Sequence, residues 1–541
     1  MDKPFAITLD TRSSLANHTG AWRTERPVYT DGLAPCNAAC PAGENIQGWL
    51  NIAEEGRYEQ AWAALVADNP FPAVMGRVCY HPCETACNRA QMDTAVGINS
   101  VERFLGDEAI AQGWELPAPA AATGRRVLVV GAGPSGLSAA YQLRRLGHDV
   151  EIRDAAEQAG GMMRFGIPTF RLPRDVLDVE IARILRLGIT LRLNTRVQDL
   201  HAAMRDGEFD AAFIAVGAQL PHRAYIPAGQ SARVMEGLAL LGEVSGGGRP
   251  RLGRRVVVYG GGNTAMDVAR TARRLGAEDA LVVYRRTRER MPANDIEVRE
   301  ALQEGVRMRW LSTIAGAENG QIRIERMELD ENGVPHPTGE IDQIEGDALI
   351  LALGQDVDHS LVEHLEGVRI RDGVVEVDDR MMTGFPGVFA GGDMVPSTRS
   401  VTVAIGHGRR AAGCIDAWLR SQEAAPAPAG EPVGFDKLNT WYYSDAPHAV
   451  RPRLEAARRV SDFTEVVGGL DRETALYEAR RCLSCGNCFG CDNCFGVCPD
   501  NAVLKIDGAH GYAIDYDYCK GCGMCVSECP AGAIVMEPET T

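Results

Sequence analysis

No run of apolar residues in this 541-residue chain approaches the roughly 20 that a helix needs to cross a bilayer. The first 20 residues are polar and lack the apolar stretch of a secretory leader, which points to a cytoplasmic protein. Positive charge is in deficit. Lys and Arg number 56 against 73 Asp and Glu, a net charge of −17, so a general affinity for nucleic acid or anionic membrane is not expected. The most telling scarcity is local: of 16 cysteines, only Cys414 lies between Cys87 and Cys482. A solitary cysteine offers no dithiol chemistry, and on a helix expected over 411–419 it reads as a small buried apolar residue. Chemistry in the middle of the chain therefore needs a non-cysteine cofactor. The other cysteines crowd the two ends, five from Cys36 to Cys87 and ten from Cys482 to Cys529. In a reducing cytoplasm that is metal ligation rather than disulfide bonding.

Apolar residues at 45% and charged residues at 24% are ordinary for a globular chain, and at about 150 residues per domain the length implies three or four domains. Apolar residues at helical spacing over 46–67, broken near Gly56, predict a small helical domain around the first five cysteines. A Pro/Ala linker over 116–124 follows. Residues 125–130 form an apolar strand, followed by a glycine turn, a helix to Leu146 and a strand over 150–154. The same unit recurs with a strand over 254–259, a glycine turn, a helix to Leu275 and a strand over 280–284. Two matched strands ending at Gly217 and Gly354 each return the chain to a parallel sheet. A second linker, 424–432, leads through a stretch without a readable pattern to the cysteine-dense tail.

In the first turn Gly131 permits the tight bend, Gly133 lets backbone approach a pyrophosphate, and Gly136 allows close helix–strand packing; Pro134 and Ser135 lie between. The phosphates then rest on free N–H groups at the helix start. Asp154 ends the next strand, placed to accept from a ribose hydroxyl. Gly392-Asp393 resembles the second signature of FAD enzymes with two dinucleotide domains, which assigns Asp393 to the ribityl chain; the plain alternative is a simple turn. The second turn, Gly260-Gly-Gly262-Asn263-Thr264-Ala265, has the permitted alanine in third place. Its second strand ends in Arg285-Arg286, where an NAD site would place an acid. Two guanidiniums suit a 2′-phosphate, so NADP(H) is favoured over NAD(H), against the alternative of a solvated basic strand end.

Cys488, Cys491, Cys494 and Cys498, then Cys519, Cys522, Cys525 and Cys529, repeat the bacterial ferredoxin run, each followed by proline. Because the fourth cysteine of each run reaches the other cluster, Cys488, Cys491, Cys494 and Cys529 form one ligand set and Cys519, Cys522, Cys525 and Cys498 the other. Zinc is the weaker alternative for this doubled spacing.

Residues 34–43 around Cys36 and Cys40, 69–79 ending in Cys79, 160–173 beginning Gly160-Gly161, and 284–293 resemble, in that order, the glutamate synthase small-subunit family. The resemblance implies FAD, with Gly161 at its site, NADPH and two N-terminal [4Fe–4S] clusters. The family's Ala-x-Arg-Cys-x2-Cys-Gly segment, which normally precedes the equivalent of Cys36, is missing there, and its likeness stands at 479–486. The tail would then fold back, so that Cys482 and Cys485 join Cys36 and Cys87 around one cluster. Cys40, Cys79 and Cys83 would hold the other with Glu102 as fourth ligand, where relatives place Glu or Gln. The bland alternative makes Glu102 a helix-surface acid and Cys482 and Cys485 spare thiols.

The expected fold class is α/β, with two Rossmann-like dinucleotide-binding domains flanked by iron–sulfur units. A helical cluster domain spans 1–115, and an FAD domain spans 125–225 and 351–422 around an inserted NAD(P)H domain, 226–350. A linker and unassigned segment, 423–478, precedes a ferredoxin-like domain, 479–541. Such a chain passes a hydride between nicotinamide and FAD and single electrons to clusters, so no catalytic acid or base is assigned. No thiamine-diphosphate, glutaminase or synthase signature is visible, which places the organic substrate on a partner. Residues 514–536 resemble the delta subunit of 2-oxoacid:ferredoxin oxidoreductases, implying a thiamine-dependent 2-oxoacid oxidoreductase as that partner. The alternatives are a glutamate synthase small subunit with an added ferredoxin, or a stand-alone NAD(P)H:ferredoxin oxidoreductase serving a soluble ferredoxin.

Overall fold

The computed structural model describes residues 18–222, 226–227, 233–423, 430–506 and 511–539. Strand β1 (Glu25–Tyr29) leads into short helices, Ile46–Ala53, Tyr58–Val66, Pro72–Val78 and Ile98–Gln112. Gly56, at φ +77°, turns the chain between the first two, where the pattern break was expected. Their buried faces, with Trp49, Trp62 and Phe71, merge with one face of the first sheet into a single core.

That sheet begins with β2 (Arg126–Val130), helix α1 (Pro134–Arg145), β3 (Asp149–Arg153), β4 (Thr190–Arg192) and β5 (Ala211–Ile214). Core packs on both faces of β2, so its sequence is an uninterrupted apolar run rather than an alternation. The second unit follows with β6 (Val234–Glu236), β7 (Arg255–Tyr259), α2 (Asn263–Arg274), β8 (Asp279–Val283), β9 (Arg307–Arg309) and β10 (Ala348–Leu351). Its strands run parallel in the order β9-β8-β7-β10-β6. An antiparallel sheet of Ser312–Glu318, Gln321–Leu329 and Pro335–Glu345, not anticipated above, is interposed before β10. The chain then returns: β11 (Val388–Ala390) pairs with β5 to complete the parallel order β11-β5-β2-β3-β4. The second unit is thus inserted in the first. Helix α3 (Val401–Arg420) packs across α1, and Gly408 makes the approach possible, since a Cβ there would lie 2.3 Å from the Ser135 carbonyl oxygen.

Elsewhere the structure departs from the expected linkers and borders. The 116–124 segment is bonded in place, with Ala120 and Thr123 donating to the Arg145 and Gly147 carbonyls at 2.9 and 3.0 Å. Of the second linker, 424–429 lies outside the described residues. The stretch after it is a strap on the N-terminal helices: Arg451 donates to the Gly76 carbonyl, and Arg103 to that of Val467. β1 also binds the tail. It pairs antiparallel with β12 (Ile534–Pro538), from Glu25↔Pro538 to Tyr29↔Ile534, satisfying an edge the tail would otherwise expose.

Candidate functional site

A cavity of about 1040 Å³ lies between the two nucleotide units. Gly131, Gly133, Pro134, Ser135, Asp154, Gly161, Gly392 and Asp393 line it from one side, and Gly260, Gly262, Asn263, Thr264, Arg285 and Arg286 from the other. Gly136 and Ala265 do not reach it. A Cβ at Gly136 would fall 1.9 Å from the Gly131 carbonyl oxygen, and Ala265 is fully buried, so both serve helix–strand packing. The two turns are built alike. Gly131 (φ +108°) backs onto the carbonyl of Ala215, and Gly260 (φ +151°) onto that of Ala352, each just beyond the matched strand.

The walls suit phosphate and polyol groups. No side chain caps the N-terminus of α1 or α2, leaving their first N–H groups for a ligand. The Ser135 hydroxyl is buried and has no partner among the described residues. Asp154 is partly engaged, accepting from the amides of Ala132 and Ala156 at 2.6 and 2.7 Å, so it also braces the turn it faces. Burial raises the Asp393 carboxyl, and Arg399 opposes that rise. Arg285 is exposed and Arg286 half-buried, and neither pairs with an acid among the described residues. No cysteine of the described residues lines the cavity. Cys414 is buried on α3, as expected.

The remaining cysteines gather in four groups. Burial, with Cys87 and Cys485 alongside, pushes the Cys36 thiol up to about 12, and Cys482 is raised by burial and by Cys36, Cys485 and Cys87. The tail has therefore folded back onto the N-terminal helices. Arg481 holds it there through the carbonyl oxygens of Ala95 and Thr94 and the carboxylate of Asp93, and Gly32 donates to the Gly486 carbonyl at 2.8 Å. In the second group, burial and Glu102 push Cys79 up to about 12, and Cys83 is raised by burial and by Cys79, Cys40 and Glu102. Glu102 is only 6% exposed and accepts from Asn69 Nδ2 at 3.0 Å; it is not a surface acid. In the tail, Cys494 is raised by burial and by Cys491, Cys488 and Cys529. Burial with Cys519, Cys498 and Cys522 pushes Cys525 up to about 12. Buried thiols that oppose one another's ionisation suit a cationic core, whose binding expels their protons.

Several contacts around these groups escape sequence reasoning. Glu44 lies beside Glu102 on the same Asn69 amide, and burial pushes it up to about 7. Tyr29 of β1 donates to Cys494 Sγ at 3.2 Å. Tyr443, from the unassigned stretch, donates to the Leu483 carbonyl at 3.3 Å, between Cys482 and Cys485 in sequence. Thr402 of α3 donates to Cys79 Sγ at 3.3 Å. Only the pair Gly406 and Gly408, unusual inside a helical pattern, hinted at a close approach there.

Fold and site together define a flavin-dependent pyridine-nucleotide oxidoreductase with iron–sulfur units on either side. The chain belongs to the pyridine nucleotide-disulphide oxidoreductase family, matched over residues 125–408. Residues 21–114 match dihydropyrimidine dehydrogenase domain II, 4Fe-4S cluster, and 487–533 match the 4Fe-4S dicluster domain. Among its relatives is the NADP(+)-dependent formate dehydrogenase subunit beta of Moorella thermoacetica, 36% identical over 88% of this chain and 73% of the relative. The NADPH-Fe(3+) oxidoreductase subunit beta of Geobacter sulfurreducens is 32% identical over 84% and 75%. The glutamate synthase [NADPH] small chain of Azospirillum brasilense is 34% identical over 73% and 88%, which bears out the family resemblance. The chain is an FAD-dependent NAD(P)H oxidoreductase, and FAD, NADP(H) and [4Fe–4S] clusters are its cofactors. None of the described helices is long and apolar enough to cross a membrane.

Proposed function

We propose that the chain is the electron-transfer subunit of a larger cytoplasmic redox complex, linking NADP(H) to a catalytic partner. Bound FAD and nicotinamide exchange a hydride, and the clusters carry single electrons. The protein's own part is to hold and orient. The amides at the start of α1, with Gly131, Gly133, Pro134, Ser135 and Gly161, take the FAD pyrophosphate; Asp154 takes its ribose, and Gly392-Asp393 the ribityl chain. The α2 turn, through Gly260, Gly262, Asn263 and Thr264, takes NADPH, with Arg285 and Arg286 on its 2′-phosphate. Four ligand sets follow from the groups above: Cys40, Cys79, Cys83 and Glu102; Cys36, Cys87, Cys482 and Cys485; Cys488, Cys491, Cys494 and Cys529; and Cys498, Cys519, Cys522 and Cys525.

The observation that carries this reading is the lodging of Cys482 and Cys485 against Cys36 and Cys87. It joins the tail to the N-terminal helices, which share a core with the first nucleotide unit, instead of leaving it as an appended module. Cys491 and Cys522 are exposed, giving electrons an exit at the far end. Relatives matched over more than four fifths of this chain include formate dehydrogenase and Fe(3+) oxidoreductase beta subunits, which favours a catalytic partner of comparable standing. The tail's likeness to 2-oxoacid oxidoreductase subunits supports a thiamine-dependent partner as the second reading. Purification of the native complex, assayed for NADP+ reduction by formate and by 2-oxoacids, tests both. Recovery of the chain alone, with soluble ferredoxin as its efficient acceptor, would contradict the subunit reading.

A further inference from the structure

Helix α3 is the wall between the flavin side of the cavity and the Cys40, Cys79 and Cys83 group. On one side Val401 and Ala404 line the cavity, and His407 Nδ1 accepts from the Gly392 amide at 3.1 Å, next to Asp393. On the other side α3 presses on the loop after Cys40, where a Cβ at Gly406 would lie 1.9 Å from the Pro41 carbonyl oxygen. Thr402 sits in this wall, 6% exposed, with its hydroxyl 3.3 Å from Cys79 Sγ. Helical threonines usually turn that hydroxyl back to the carbonyl four residues earlier. Thr402 is the second residue of α3, so that carbonyl lies outside the helix and the hydroxyl is free to reach the sulfur. Among the described residues the other donor to Cys79 Sγ is the backbone amide of His81, at 3.4 Å.

We propose that Thr402 is a positioning residue that sets the potential of the cluster nearest the flavin by donating to its Cys79 ligand, an inference that rests on the ligand sets above. A hydrogen bond to a ligand sulfur stabilises the reduced, more negative cluster and raises its potential. A cluster held by Cys79 would thereby accept electrons from a bound flavin more readily.

The test is a potentiometric EPR titration of the full chain, purified anaerobically, as wild type, Thr402→Val and Thr402→Ser. Comparison with Cys79→Ser identifies the signal of the cluster concerned. In Thr402→Val, reduction of that cluster becomes about tenfold less favourable, 59 mV for a one-electron couple. The other clusters keep their midpoints, and Thr402→Ser keeps the wild-type value. Should valine impair cluster loading, Thr402→Ala gives the same comparison. An unchanged midpoint in the donor-less variant, or a serine variant shifted as far as the valine one, overturns the proposal. A wild-type chain with no signal sensitive to Cys79→Ser would instead overturn the ligand sets, and this inference with them.

Discussion

Arg285 and Arg286 follow β8 after Tyr284, at the cavity wall and without acidic partners among the described residues. A charge-assisted hydrogen bond to phosphate contributes about 1.5–3 kcal/mol. Replacing both with alanine therefore raises the KM for NADPH by at least about tenfold, while that for NADH changes little. Equal effects on the two nucleotides in steady-state assays would refute the 2′-phosphate assignment. His407 carries a pH prediction. Burial, then Arg410, holds its pKa below the ordinary value, and the Gly392 amide bond requires a free Nδ1 lone pair. The unfolded chain takes up the proton first as pH falls. His407 thus contributes stability that is present above about pH 6.5 and lost on acidification through the folded value. Thermal melts between pH 7.5 and 5 should show this slope in the wild type, and a shallower one in His407→Gln.

At the scale of elements, the decisive piece is the 479–486 segment, which replaces one missing ahead of Cys36. Buried Glu478 accepts from the Gly97 amide at 2.6 Å, and Arg481 is 2% exposed among N-terminal carbonyls. The double variant Cys482→Ser/Cys485→Ser should lose about 4 of ~16 iron atoms per chain and keep the tail's ferredoxin signals. Unchanged iron would make these two thiols spare. The glycine turns and cysteine runs were legible in the sequence because each encodes its chemistry within a few neighbouring residues. The fold-back was legible for another reason: a familiar segment had changed place. Thr402 and Cys79, 323 residues apart, gave no local signal, and neither did Tyr443 on the Leu483 carbonyl. The three-stranded sheet before β10 was missed because its third strand, Pro335–Glu345, is largely exposed and a register shift between Glu325 and Met327 interrupts the alternation of the second. The pairing of β1 with β12 was not legible because partners at opposite ends of a chain leave no mark on short-range pattern.

Across the whole molecule, the two nucleotide units meet at one cavity, and α3 separates it from the Cys40, Cys79 and Cys83 group. The Cys36, Cys87, Cys482 and Cys485 group combines both ends of the chain, and the tail exposes Cys491 and Cys522 at the surface. The proposed route runs from a nucleotide cavity to the surface, and among the described residues no cysteine lines that cavity to divert electrons. Anaerobic titration of the full chain with NADPH, followed by flavin absorbance and low-temperature EPR, tests that continuity directly. The predicted result is bleaching of the flavin band accompanied by cluster signals from both the N-terminal and tail sets. A flavin that bleaches while every cluster stays EPR-silent, although dithionite then elicits their signals, would contradict it.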